Sequence, residues 1–213
     1  MKLRLGISTC PNDTFAFHAI LNRKVDLEGL EFELMLLDVQ ELNEKLLACE
    51  LDLGKVSFHA AMYLVENYGI SRSGAAIGEG VGPVLLGLDA NSIPEPDSRV
   101  LCPGALTTAT LLFKIFYPDA SKIEQRLFSE IMPALAAKSA DFGVVIHEGR
   151  FTYTQYGLSL IKDLGVMWED LTKKPLPLGG IAIRYNLGLD LHLKFARVLE
   201  RSIVYGYEHR EFF

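Results

Sequence analysis

The chain opens on an alternation. Leu3, Leu5 and Ile7 fall on one face, with Lys2 and Arg4 on the other, and this period of two predicts a first strand with one buried side. The turn Cys10-Pro11-Asn12-Asp13 follows, then a helical stretch from Thr14 to about Asn22. Asn12 or Asp13 can cap that helix, because a side-chain oxygen there accepts a backbone N–H with no intrahelical partner. Leu30 to Leu37 reads as a second strand, and Asp38 caps a helix that buries Leu42, Leu46 and Leu47. Asp52 to Val56 is a short strand, and Ser57 caps the helix after it. Gly74 to Ile77 and Val84 to Leu88 are two more strands. The glycine-rich run Gly78-Glu79-Gly80-Val81-Gly82-Pro83 between them predicts a flexible, backbone-dominated loop.

The clearest shift in character is Asn91-Ser92-Ile93-Pro94-Glu95-Pro96-Asp97, polar and punctuated by proline, which reads as a crossover between lobes. A second cycle follows. Arg99 to Leu101 is a strand, Cys102-Pro103-Gly104 a turn, and Thr107 to Phe116 a helix. A helix near Glu130 to Lys138 leads into the apolar strand Asp141 to Ile146, and a further helix runs from Arg150 to Tyr156. Pro175 to Gly180 reads as the return crossover, and Ile181 to Arg184 as a strand. Leu189 to about Tyr207 is an amphipathic helix with Leu191, Phe195, Val198, Leu199 and Ile203 inward. The pattern therefore predicts two α/β lobes, residues 1–90 plus 178–213 and residues 91–177, with a ligand cleft between them. A single doubly wound sheet is the alternative architecture.

Composition narrows the function classes. With 213 residues, 49% hydrophobic and 23% charged, the chain has the make-up of a folded globular protein. Its formal net charge of −6, without any Lys/Arg cluster, speaks against a nucleic-acid partner. An anionic ligand would have to be held by local donors such as helix N-termini. The first residues alternate and do not form a signal-peptide core, and no run of 18 apolar residues appears, so no membrane span is expected. Three cysteines, Cys10, Cys49 and Cys102, without CxxC spacing fit neither a disulfide framework nor a zinc site, and point to a reducing cytoplasm.

Candidate chemistry collects just past predicted strands, the edge at which open α/β sheets bind ligands. His147 follows the apolar run Val144-Val145-Ile146, and an imidazole there can exchange a proton near neutral pH. The alternative is a histidine that closes the strand with a hydrogen bond. Thr9, Asn12 and Asp13 lie in the turn after the first strand, where hydroxyls and amides can hold a carboxylate or hydroxyl group, or merely cap the turn. Lys55 can neutralise an anion and Ser57 can donate to one, or they are a surface lysine and an N-cap; His59 reads as packing. Thr107 and Thr108 place two hydroxyls at a helix start after a third strand. The segment lacks the glycines and lysine of a P-loop, and no GxGxxG follows the first strand. No GxSxG elbow or HExxH motif is present either. Cys10 or Cys102, each in a turn before a helix, remains a thiol alternative to His147 acting alone.

Ser8-Thr9-Cys10-Pro11-Asn12-Asp13-Thr14-Phe15, Lys55-Val56-Ser57-Phe58-His59-Ala60, Val145-Ile146-His147-Glu148-Gly149-Arg150-Phe151-Thr152-Tyr153 and Leu176-Pro177-Leu178-Gly179-Gly180 together resemble the 1,4-dihydroxy-6-naphthoate synthase family of the futalosine route to menaquinone. The resemblance implies a two-lobed, type II periplasmic-binding-protein-like fold serving as a cytoplasmic enzyme of the lyase type. It implies cyclic dehypoxanthine futalosine as the small anionic substrate, no cofactor and no metal. His147 matches the family's proposed base, and Ser57, Thr107 and Thr108 match pocket-lining positions. The related chorismate dehydratase and a non-catalytic small-carboxylate-binding protein of the same fold are the competing readings. Family members usually continue past the position of Phe213, so Phe212 and Phe213 are expected to need covering, either by further chain or in a homodimer. The alternative is a last turn that folds back onto the core.

Overall fold

The computed structural model describes residues 2–210. In chain order, the first elements are β1 (Lys2–Ile7), α1 (Pro11–Leu21), β2 (Glu31–Leu36), α2 (Val39–Leu47), β3 (Leu53–Ser57), α3 (Phe58–Ala61), β4 (Tyr68–Ile70), β5 (Ala76–Gly78) and β6 (Val84–Gly87). Then come β7 (Arg99–Cys102), α4 (Thr108–Phe116), β8 (Lys122–Gln125), α5 (Phe128–Ala136), β9 (Phe142–Val145) and α6 (Gly149–Thr152), the last running into a 3₁₀ turn over Tyr153–Tyr156. The chain continues through β10 (Ser159–Asp163), α7 (Leu164–Thr172), β11 (Leu176–Arg184) and α8 (Leu189–Glu208). These elements divide into two compact units, Met1–Ala76 with Gly179–Phe213, and Ile77–Leu178.

The first unit is built on a sheet of order β2-β1-β3-β11-β4, with β5 also pairing β11. β1 runs parallel to both β2 and β3, and β11 runs antiparallel to β3 and β4. Leu3, Leu5 and Ile7 form one core with Phe17 and Ile20 of α1 and Phe195, Val198 and Leu199 of α8. The opposite face carries α2, whose Leu42 and Leu46 are fully buried. The fit is close enough that a Cβ on Gly6 would stand 2.6 Å from Leu42 Cδ2 and from Leu51 Cδ1.

The second unit has a sheet of order β10-β6-β9-β7-β8. β7 is parallel to β8 and β9, and β6 is antiparallel to β9 and β10. Its central strands are covered on both faces, which is why they read as continuous apolar runs and not as alternation. Leu85, Val100 and Val144 meet Leu112 and Phe113 of α4 on one side. Their neighbours Leu86, Leu101 and Val145 meet Ile131 and Leu135 of α5 on the other.

The structure corrects several sequence expectations. Residues 77–90 belong to the second unit and not to the first, because β6 pairs with β9 and β10. The chain passes from one unit to the other at Ala76/Ile77, and Asn91 to Asp97 is a connection inside the second unit. The return lies within one nine-residue strand, β11, and so Pro175 to Gly180 is no open crossover. Neither Asn12 nor Asp13 caps α1: the cap residue is Cys10, with Pro11 opening the helix. Leu47 is exposed and the polar Asn43 takes the buried position on α2. The expectation about Phe212 and Phe213 lies outside the described residues. Among the described residues no helix is long and apolar enough to cross a membrane.

Candidate functional site

In the first unit the candidates gather at the carboxyl ends of two adjacent parallel strands: Thr9, Asn12 and Asp13 follow β1, while Lys55 lies within β3 and Ser57 ends it. Asp13 turns away from the helix start it was expected to cap. Its Oδ2 accepts from the Ser8 amide at 3.1 Å and the Ser8 hydroxyl at 2.7 Å, and its Oδ1 lies 3.0 Å from Lys55 Nζ. Lys55 is therefore matched by a buried carboxylate and adds no net charge to this edge. Thr9 and Asn12 stand exposed on the same turn. Cys10 is partly buried, and that burial pushes its thiol up from the ordinary value.

Ser57 ends β3 and is buried, but its side chain does not cap α3. The buried Asn43 of α2 holds it by two bonds. The Ser57 amide donates to Asn43 Oδ1 at 3.0 Å, and Asn43 Nδ2 donates to Ser57 Oγ at 3.1 Å. The amide donor fixes which end of the Asn43 carboxamide is which. Because Oγ is then an acceptor, the Ser57 hydroxyl hydrogen is left to donate elsewhere. Asn43 was missed by sequence reasoning. Its only signal was a polar residue at an inward position of the α2 stripe. His59 is buried, with its ring 5.8 Å from that of Tyr63.

In the second unit the adjacent parallel strands β7 and β9 carry the other candidates beyond their carboxyl ends. Thr107 caps α4: its Oγ1 accepts from the Thr110 amide at 3.3 Å and donates to the Gly104 carbonyl at 2.8 Å. Thr108 Oγ1 donates to the Leu178 carbonyl at 2.8 Å. Both hydroxyl hydrogens are thus committed within the unit. What α4 offers a ligand is its first amides, with the positive end of the helix dipole behind them. Burial pushes the Cys102 thiol up to about 12. It is protonated at neutral pH, which removes the basis for it as a nucleophile.

His147 stands just past β9 with φ of 57°, in the left-handed region. Histidine visits that region more than most residues, but doing so carries a cost in free energy. Its ring meets Phe128 of α5 edge-on, with centroids 5.1 Å apart at 74°. Among the described residues no group of three or more His, Cys, Asp or Glu could hold a metal ion.

Comparison with known proteins completes this picture. Residues 3–212 match the family described as Menaquinone biosynthesis. The chain belongs to the menaquinone biosynthesis family. Within it, a 1,4-dihydroxy-6-naphthoate synthase from Thermus thermophilus is 39% identical over 209 residues, covering 98% of this chain and 76% of that protein. A protein of the same name from Streptomyces coelicolor is 35% identical over 209 residues, covering 94% and 72%. A crystal structure of an Archaeoglobus fulgidus protein superposes with a TM-score of 0.91 at 35% identity, covering 98% of this chain and 78% of that one. The periplasmic aliphatic sulphonate binding protein of Escherichia coli has a TM-score of 0.63 at 12% identity, over 99% of this chain and 71% of that one. At such identity the likeness is one of fold, and the fold of this family member is periplasmic-binding-protein-like.

Proposed function

We propose that the chain is a 1,4-dihydroxy-6-naphthoate synthase, a lyase that converts cyclic dehypoxanthine futalosine to 1,4-dihydroxy-6-naphthoate by base-assisted elimination. His147 is the base. It removes a proton from carbon, the released electron pair becomes a new π bond, and the leaving group departs with its own pair. The observation that carries this reading is the placement of His147. The sheet holds it beyond the carboxyl end of β9, beside the strand that leads into the α4 amides, in a backbone conformation that glycine would adopt more cheaply. The two relatives named as this synthase support the reaction.

The substrate's carboxylate is held by the amides at the start of α4, with Thr107 and Thr108 shaping that start. On the first unit, Ser57, whose Oγ accepts from Asn43, is the candidate donor to substrate. Thr9 and Asn12 supply further contacts, and the Asp13–Lys55 pair holds the turn that presents them. No cofactor takes part. The three cysteines, free in the structure, fit a cytoplasmic enzyme.

Incubating the purified chain with the cyclic substrate and following ring-acid formation tests the reading. His147→Ala is expected to lower kcat by roughly 10²–10⁴-fold, with KM changed little. Near-normal turnover of that variant refutes the base assignment. No turnover by the parent chain, with the substrate still bound, makes it a binding protein and not an enzyme. A ligand-bound structure with the carboxylate far from residues 106–108 refutes the α4 placement.

A further inference from the structure

Arg150 lies three residues beyond His147, and its guanidinium is anchored at three points. Nη1 donates to the Gly82 carbonyl at 3.1 Å, and Nη2 donates to the Gly80 carbonyl at 3.2 Å and to the Asp163 carboxylate. The Arg150 and Asp163 side chains are only 17% and 16% exposed. Asp163 is itself held, because its Oδ1 caps α7 by accepting from the Gly165 and Val166 amides at 3.0 and 3.1 Å. The Gly80 amide in turn donates to Glu169 of α7 at 2.8 Å. The run from Gly78 to Pro83, expected from its glycines to be flexible, is thus gripped at Gly80 and Gly82. A planar fork with several fixed donors suits this task, and an ammonium does not reproduce it.

The other end of the same turn is fixed by packing. The Arg150 amide donates to the His147 carbonyl at 3.4 Å. Gly149 sits so close to β9 that a Cβ there would meet Val145 Cγ1 at 2.4 Å. His147 holds its left-handed backbone between these two anchors, and such a conformation persists only where the surroundings impose it.

We propose that Arg150 is a positioning residue: by anchoring the His147–Arg150 turn on Gly80, Gly82 and Asp163, it fixes the direction in which His147 presents its imidazole. The proposal rests on His147 being the base, and the test separates the two ideas. Parent, Arg150→Lys, Arg150→Gln, Asp163→Asn and His147→Ala are compared in kcat, KM, the pH profile of kcat, the thermal midpoint and the histidine ring NMR signals. The His147 signal is assigned by its loss in His147→Ala. A displaced base is expected to cost Arg150→Gln about 10²-fold in kcat, with KM nearly unchanged. The His147 ring signal should move or broaden, and the pH profile should shift with it. Arg150→Lys should recover only part of the loss. Asp163→Asn keeps a capping side chain and should show the same changes in smaller degree, which keeps the test decisive if Arg150→Gln fails to fold. An unmoved His147 signal and pH profile in a folded variant overturns the proposal, whatever happens to the thermal midpoint. Full turnover by His147→Ala sinks the base assignment alone, and a moved ring signal in Arg150→Gln still supports the anchoring role.

Discussion

Replacing Lys55 with methionine should destabilise the first unit by about 3 kcal/mol, toward the low end of what losing one partner of a buried ion pair costs. The chain of reasoning starts from Lys55 Nζ and Asp13 Oδ1, 3.0 Å apart, with side chains 13% and 3% exposed. At an effective dielectric of about 20, two charges at that separation attract by roughly 5 kcal/mol, and the desolvation of both groups offsets much of this. Removing the ammonium leaves the desolvation of Asp13 without its return. The low end applies because the two Ser8 donors at 3.1 and 2.7 Å remain on Oδ2. Methionine fills the space of the lysine stem, so little of the loss comes from a cavity. The double variant Lys55→Met/Asp13→Asn should recover about 2 kcal/mol, since an amide oxygen still accepts from Ser8 and no charge is stranded. Urea unfolding followed by far-UV circular dichroism measures both variants, and the fluorescence of the single tryptophan, Trp168, reports separately on the second unit. A Lys55→Met variant within about 0.5 kcal/mol of the parent, or a double variant no better than the single, refutes the argument.

Three further outcomes follow from other contacts. Hydrogen bonds from Arg197 and Arg201 hold the Glu28 carboxyl down to about 2 from 4.5. A depressed acid stabilises above its unfolded value and loses that contribution as pH falls toward its folded one. The thermal-midpoint gap between parent and Glu28→Gln should therefore be full above pH 4.5 and close as pH approaches about 2; a gap that widens on acidification contradicts the sign. Cys102→Ala should keep kcat within about threefold while losing about 1 kcal/mol of stability, since it deletes one buried atom and no reactive thiolate; abolished turnover in a folded variant would restore the thiol mechanism. Gly149→Ala should cost about 1–3 kcal/mol through the collision with Val145 and displace His147 with it, read as a lowered thermal midpoint and a lowered kcat together.

The elements legible in the sequence are those whose own residues decide their fate. Leu3, Leu5 and Ile7 declare a buried face by alternation, and Val144 and Val145 declare a strand covered on both sides. Asp38 caps α2 as expected, because its cap acts within its own turn, whereas Thr107, read as the first residue of α4, is that helix's cap. Three strands that escaped reading, β4, β8 and β10, all lie at sheet edges. An edge strand is half-solvated, so its pattern carries less apolar signal. The unit boundary escaped for a related reason. The apolar run of β6 would look the same in either sheet, and only its pairing with β9 and β10 assigns it to the second unit.

The candidate site divides along the same line. That His147 and Thr107 follow strands and Ser57 stands at the end of one is a local fact, and the sequence shows it. What several of the polar groups do depends on a partner remote in the chain: Lys55 for Asp13, Leu178 for Thr108, Asn43 for Ser57. Asn43 shows what such a partner looks like in advance. It shares the inward side of α2 with Leu42 and Leu46, all three buried. A carboxamide at a fully buried position must find hydrogen bonds, or its burial costs more than the packing returns. An inward polar residue on an otherwise apolar stripe therefore implies a second polar residue facing it across the core. Here that residue is Ser57, at the end of the strand against which α2 packs, and because its Oγ accepts from Asn43 the pairing also fixes the serine side chain at that strand end.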